Sequence, residues 1–355
     1  MIEKVAYILG AGFSAPLGLP VMSNFLIKSK DLYFSDTEKY KHFRSVFDAI
    51  NELSVSKNYY SADLFNIEEI LSIIEMGTFL EGKRLKKVFI QYISDVIDFY
   101  TPEMKPYSSK ELPGNWVDFI FGQRGLQKDF GCFTANLIGT EYKEKRKNDY
   151  GRIVRTFHVN KIASRTTQYA VITLNYDLVL ENYCKYINDN YQTEGEIKFN
   201  PQEYPADWAI PPLAKLHGSL DTGLIVPPTW AKGNNSKITP IWKHAYQILK
   251  EANHLRFIGY SLPIADSYIK FLLKSAVVKT EHLKSIDVIC LDKDDSVKKR
   301  FDDFFEFDYY RFANASVTDY LSPLSELYSG VRQIDESVRM NDLEIVHNKF
   351  MLEYE

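Results

Sequence analysis

Five short apolar runs punctuate the chain: "VAYILG" at 5–10, "YAVITLNYD" at 169–177, "LAKLHGSL" at 213–220, "HLRFIGYSL" at 254–262 and "IDVICLDKD" at 286–294. Each is rich in aliphatic or aromatic residues, and each ends by delivering a Gly, Asn, His, Ser or Asp. A continuous apolar run, rather than strict alternation, suits a strand whose sheet is covered by helices on both faces. With helical segments between such runs, the pattern predicts an α/β chain built on a parallel sheet flanked by helices. Ligands of such sheets bind beyond the carboxyl ends of the strands, so the run ends form one candidate site.

The first interval between runs is the longest. After Pro20, "DTEKYKHFRSVFDAINEL", "NIEEILSIIEMG" and "KRLKKVFIQYISDVIDFY" carry apolar residues at three- and four-residue spacing. Residues 21–165 are therefore expected to form a large, mostly helical insertion after the first strand and turn. Within it, "TPEMKPYSSKELPGN" (101–115) reads as a loop and "WVDFIFGQ" as the helix that follows. Residues 1–20 and 166–330 are left as the core. The tail, 331–355, reads as one amphipathic helix with Val331, Ile334, Val338, Leu343, Val346 and Phe350 on one side.

Composition narrows the function classes. A chain of 355 residues, 45% hydrophobic, is long enough to bury a substantial core. Lys and Arg number 43 against 47 acids, a net charge of -4 that offers no basic excess for a nucleic-acid backbone. Cys132, Cys184 and Cys290 form no CxxC pair, so neither a zinc knuckle nor a disulfide framework is legible, and no metal is expected. No stretch approaches the roughly 20 apolar residues of a membrane span, and "MIEK" is too short a lead for a signal peptide. The expectation is a reduced, cytoplasmic protein without membrane or direct nucleic-acid partners.

The first run leads into "GAGFSAPLGLP". Glycine permits tight backbone approach, and a strand followed by Gly10-Ala11-Gly12 at a helix start is suited to a pyrophosphate, with Ser14 adding a hydroxyl. The segment does not complete GxGxxG, because Ala15 stands at the third glycine position. Alone it is as well explained by a structural turn. Three later motifs join it: Thr173-Leu174-Asn175-Tyr176-Asp177, His217-Gly218 in "KLHGSL", and Gly259-Tyr260-Ser261-Leu262. With Gly10-Ala11-Gly12-Phe13-Ser14 and Gly18-Leu19-Pro20, these stand in the order found in the SIR2 superfamily, which the chain resembles. The departures are Val21-Met22-Ser23 where sirtuins carry Asp-Phe-Arg, Leu174 where they carry Gln, and no cysteine pairs after the His-Gly dipeptide. Those pairs hold the structural zinc of sirtuin deacylases. The pattern is closer to the SIR2-like NAD+ hydrolases of bacterial anti-phage systems.

That resemblance implies a Rossmann-like core and NAD+ as the substrate, cleaved to ADP-ribose and nicotinamide. It implies catalytic roles for His217, as the acid–base group, and Asn175, which orients water and ribose hydroxyls. It also implies cofactor contacts from Gly10, Ala11, Gly12, Phe13, Ser14, Asp177, Gly259, Tyr260 and Ser261. Asp292, at a strand end, is suited to accept from the adenosine ribose hydroxyls. Asn175 and Asp177 also suit the start of the helix that follows. An NAD+-depleting effector needs restraint, and the resemblance implies a homo-oligomer or a regulatory partner such as a HerA-type ATPase. Two other readings remain: a protein deacylase or ADP-ribosyltransferase, and a non-catalytic NAD- or ADP-ribose-binding assembly module.

Overall fold

The computed structural model describes residues 2–54, 70, 72–73, 76, 85–107, 115–122, 125–149, 152–200, 208–226, 236–264, 266–277, 280–330, 334 and 336–354. Its centre is a parallel sheet of β1 (Glu3–Leu9), β4 (Thr167–Thr173), β6 (Leu213–Lys215), β9 (His254–Ile258), β10 (Ser285–Ile289) and β11 (Tyr310–Ala313), in the order β11-β10-β9-β1-β4-β6. Taken in chain order these strands lie 6-5-4-1-2-3, the doubly wound arrangement of a Rossmann-like fold. The strand order reverses between β1 and β9. Leu9 pairs with Thr173 and Ile258, Thr173 with Lys215, Ile258 with Ile289, and Ile289 with Ala313. All six carboxyl ends therefore finish level along one edge.

Both faces of the sheet are buried, as continuous apolar strands require. In β1, Val5, Tyr7 and Leu9 enter one core with Phe133, Tyr183, Tyr320 and Phe350. Ala6 and Ile8 enter a second core with Ile248, Leu273 and Phe301. The helices Gly125–Ile138, Val179–Asn190, Val317–Ser329 and Leu343–Leu352 cover the first face; Thr239–Glu251, Ser267–Val277 and Ser296–Asp302 cover the second.

Three expectations need correction. The sixth strand, β11, is not among the five apolar runs: Tyr310, Arg311 and Phe312 are only partly buried and Ala313 alone is buried, so no unbroken apolar run marks it. Residues 21–165 contain the helices Phe25–Ser35, Phe43–Ser54, Leu85–Tyr100, Trp116–Phe121 and Gly125–Ile138, but also a long antiparallel hairpin. Its arms, β2 (Thr140–Asp149) and β3 (Arg152–Lys161), pair from Thr140↔Lys161 to Asp149↔Arg152. Charge density along "EYKEKRKND" conceals it, and the arms are held partly by Arg155, whose Nε donates to Glu144 Oε1 at 2.5 Å. The two-residue β5 (Gln192–Thr193) adds to β3. The tail is not one helix: β12 (Val338–Arg339) pairs with β2, and the helix covers only Leu343–Leu352. Most of "NIEEILSIIEMG" lies outside the described residues.

That last helix is fastened to the sheet by polar groups. Arg256, on β9 and 2% exposed, donates to both carboxylate oxygens of Glu344 at 2.8 and 2.7 Å, and to the Tyr7 hydroxyl at 2.7 Å. His347 lies 3.0 Å from Asp287 and 3.0 Å from the Tyr320 hydroxyl. Burial lowers the His347 imidazole to about 4, against the raising influence of Asp287. Glu344 lies at about 2, because the Arg256 charge outweighs its burial.

The sign follows from linkage. Unfolded His347 takes up a proton below its ordinary value of 6.5, whereas the folded ring stays neutral until about pH 4. Stability should fall as pH drops from 6.5 towards 4, by roughly 3 kcal/mol for this group, and further as Glu344 is protonated. Urea denaturation across that range should show the loss, and His347→Gln should flatten its upper part. Arg256→Met leaves the half-buried Glu344 carboxylate with Tyr169 but no counter-charge and is expected to cost about 2–3 kcal/mol.

Candidate active site

The carboxyl edge gathers Gly10 from β1, Asn175 and Asp177 after β4, His217 after β6, Gly259 after β9 and Asp292 after β10. Thr173 shapes the second of these. Its hydroxyl donates to Leu9 O at 3.3 Å and accepts from Asn175 N at 3.0 Å, turning the chain at the strand end. Asn175 then reaches across to the β1 loop: its Nδ2 donates to Gly10 O at 3.0 Å and to Ser14 Oγ at 3.2 Å. With both amide hydrogens held, its carbonyl oxygen is the atom left to accept from a ligand hydroxyl or water.

Asp177 is buried, and its carboxylate accepts from Val179 N at 3.2 Å. That bond is the Asx-type start of the helix Val179–Asn190 that the sequence suggested. Burial pushes the Asp177 carboxyl above its ordinary value, opposed by the Lys215 charge and by hydrogen bonding.

His217 is 2% exposed, with its ring centroid 5.8 Å from that of Tyr176. The loops carrying His217 and Asn175 are joined by Leu216 N to Thr173 O at 2.9 Å and Leu220 N to Tyr176 O at 3.1 Å. Gly218 opens a tight hairpin of β7 (Gly218–Ser219) and β8 (Leu224–Ile225) with φ +91; a Cβ there would lie 1.8 Å from Leu224 O. The glycine after the histidine is a geometric necessity.

The glycine-rich loop is engaged with the loop after β9. Gly10 N donates to Ile258 O at 3.1 Å, Gly12 N to Gly259 O at 2.9 Å and Phe13 N to Gly10 O at 2.9 Å. A Cβ on Gly10 or Gly12 would lie 2.5 or 2.7 Å from Gly259 O, and one on Gly259 would lie 2.2 Å from Phe13 N. These glycines let the β1 loop and the β9 loop pack backbone to backbone. Their N–H groups are committed within the protein, and the helix they open, Ala11–Ser14, is a single turn.

The side chains of Phe13 and Tyr260 are buried in the cores. Phe13 packs on Phe130 and Phe133, at 5.0 and 5.7 Å between centroids. Tyr260 is 4% exposed and donates to Asp266 Oδ2 at 2.9 Å. Ala11 keeps its place in the loop. The Ser261 carbonyl accepts from Arg300 Nε at 2.9 Å, and the next residue, Leu262, is held at φ +48. Asp292 is at its expected strand end, but its Oδ2 accepts from Lys298 N at 2.8 Å and so caps the helix Ser296–Asp302.

Lys215 and Glu181 were not singled out from sequence, although a lysine inside the apolar run "LAKLHG" is itself a signal. Lys215 is 7% exposed; its Nζ donates to Glu181 Oε1 at 2.8 Å and to the backbone carbonyl of Asp177. Beside them a cavity of about 690 Å³ opens at the β6 edge, lined by Glu181, Cys184, Lys215, Gly218, Leu224 and His244 among others. Among the described residues there is no cluster of His, Cys, Asp or Glu suited to a metal, and no helix long and apolar enough to cross a membrane.

Asn, Asp and His side chains thus stand at adjacent carboxyl ends of a Rossmann-like sheet, the edge at which ligands of such sheets bind. Residues 169–311 match the family model of the SIR2-like domain. Among solved structures, Sir2 in complex with the inhibitor EX-527, 2′-O-acetyl-ADP-ribose and deacetylated p53 peptide is similar at 12% identity and a TM-score of 0.35, covering 91% of this chain and 93% of that one. No curated protein matches the chain.

The backbone contact at the switch point predicts unequal glycine tolerances. Gly259→Ala, with φ +60 and the Phe13 N contact, should lower stability by about 2 kcal/mol or more. Gly18→Ala, with φ +98 but open surroundings, should cost about 1 kcal/mol. Urea denaturation of the two variants compares them directly; equal losses would deny the contact its role.

Proposed function

We propose that the protein is an NAD+ glycohydrolase that cleaves NAD+ to ADP-ribose and nicotinamide, acting as an NAD+-depleting effector of anti-phage defence. The observation that carries this reading is the Asn175 amide, pinned by Gly10 and Ser14 with its carbonyl free to accept, on the loop that Leu220 joins to the His217 turn. The SIR2-like match over residues 169–311 supports NAD+ as the ligand class.

In NAD+ the nicotinamide leaves from a cationic pyridinium and departs neutral, so no general acid has to protonate it. The sugar passes through an oxocarbenium-like transition state, as in glycoside cleavage generally. His217 accepts the proton of the attacking water or of a ribose hydroxyl. Asn175 accepts a hydrogen bond through its carbonyl oxygen and so orients that hydroxyl or water. Asp177 supplies a carboxylate behind Ser14, complementary to a cationic substrate.

The cavity at the β6 edge favours one alternative, transfer of the ADP-ribosyl group to an acceptor seated beside the histidine turn. Nicotinamide and ADP-ribose release from NAD+ by the full chain, with and without an acyl-lysine peptide, separates the two. Turnover without acceptor, lost by roughly 10²-fold or more in both Asn175→Ala and His217→Ala, is the expected result. Turnover only with acceptor supports transfer; NAD+ binding without turnover supports an assembly module.

A further inference from the structure

A buried lysine is costly unless its charge is used, because an ammonium loses its hydration on burial. Lys215 sits on the last strand of the sheet, two residues before His217, and is 7% exposed. Its aliphatic neighbours, Leu213 and Leu216, are buried on the same short strand and turn. Its ammonium makes two hydrogen bonds, and both cross to the β4 side of the site. One goes to Glu181 Oε1, at 2.8 Å, in the first turn of the helix Val179–Asn190. The other goes to the backbone carbonyl of Asp177.

We propose that Lys215 is a positioning residue of this site: it ties the loop carrying Asn175 and Asp177 to the strand carrying His217, and it is the counter-charge that keeps the buried Asp177 an anion. The proposal deepens the glycohydrolase reading, because that loop and that histidine are the machinery it assigns. Removing the ammonium frees the Asp177 carbonyl and leaves the buried Asp177 and the part-exposed Glu181 without the cation that acts on both. Their mutual repulsion then drives one of them to take a proton.

Lys215 from β6 is the charge that acts on Asp177, and it favours the anion; the neutral Ser14 hydroxyl of the β1 loop favours it too. Glu181, on the following helix, carries a carboxyl that burial and, to a lesser degree, the Asp177 charge push up; such coupling is reciprocal, so each carboxylate disfavours ionisation of the other. Cys184, one turn beyond Glu181, is a buried thiol pushed well above its ordinary range by burial, and so adds no charge at neutral pH. Lys215 and Glu181 therefore bear on Asp177 with charges of opposite sign, which a purely architectural strut would not do.

The test titrates the full chain with carboxyl-labelled aspartate by ¹³C NMR, assigning Asp177 by Asp177→Asn, in the wild type, Lys215→Met and Glu181→Gln. Lys215→Met should raise the Asp177 midpoint by about one pH unit or more, and Glu181→Gln should lower it. Steady-state nicotinamide release should follow: in Lys215→Met, kcat drops about tenfold with KM little changed, and the acidic limb of the pH profile moves up; in Glu181→Gln that limb moves down. Midpoints that stay put, or that move in the same direction in both variants, overturn the proposal. Should Lys215→Met fail to fold by circular dichroism, the Glu181→Gln midpoint decides alone. A wild type that binds NAD+ without turnover sinks the glycohydrolase reading, while the titration still decides the role of Lys215.

Discussion

The geometry of the site depends on one backbone contact, where the loop after β1 meets the loop after β9. Gly12 N donates to Gly259 O, and neither partner has room for a Cβ. This is the point at which strand order reverses, so the connections from the two strands leave to opposite faces and would otherwise diverge. Their backbone contact holds the crevice edges together. From it follow the position of Gly10 O and Ser14, and hence the anchor that Asn175 uses.

The polar interior is divided between two systems with different tasks. On the first face, Arg256, Glu344, Asp287, His347 and three tyrosines (Tyr7, Tyr169, Tyr320) fasten the C-terminal helix across β1, β4, β9 and β10. Every member has a partner, so their burial is compatible with a stable core, and their main effect is to fix one docking geometry. At the carboxyl edge, Lys215, Glu181, Asp177 and Ser14 form a smaller set whose charges do not simply cancel in place.

Much of this was legible before any coordinates. Runs of unbroken apolar residues ending in Asn175, His217, Gly259 and Asp292 indicate parallel strands with level ends, because strands buried on both faces cannot alternate and parallel strands share a polarity. The hairpin 140–161 and the strand 310–313 were not legible. In the first, charged residues occupy positions whose pairing partner, not their polarity, makes them strand; in the second, a short aromatic segment becomes strand only because β10 offers an open edge. Motif position did not reveal where the rings of Phe13 and Tyr260 pack, against Phe130 of the helix Gly125–Ile138 and against Phe257.

The sequence by itself determined the class of fold, the order of the motifs and which polar side chains stand at strand ends, since each follows from local hydrophobic pattern and residue chemistry. Tertiary structure alone decided what those groups touch. The use of the glycines for loop-to-loop packing, the free carbonyl of Asn175, the capping role of Asp292 and the bridge made by Lys215 all join residues far apart in the chain. Such contacts depend on register and on which element lies across the crevice, and no local pattern encodes them.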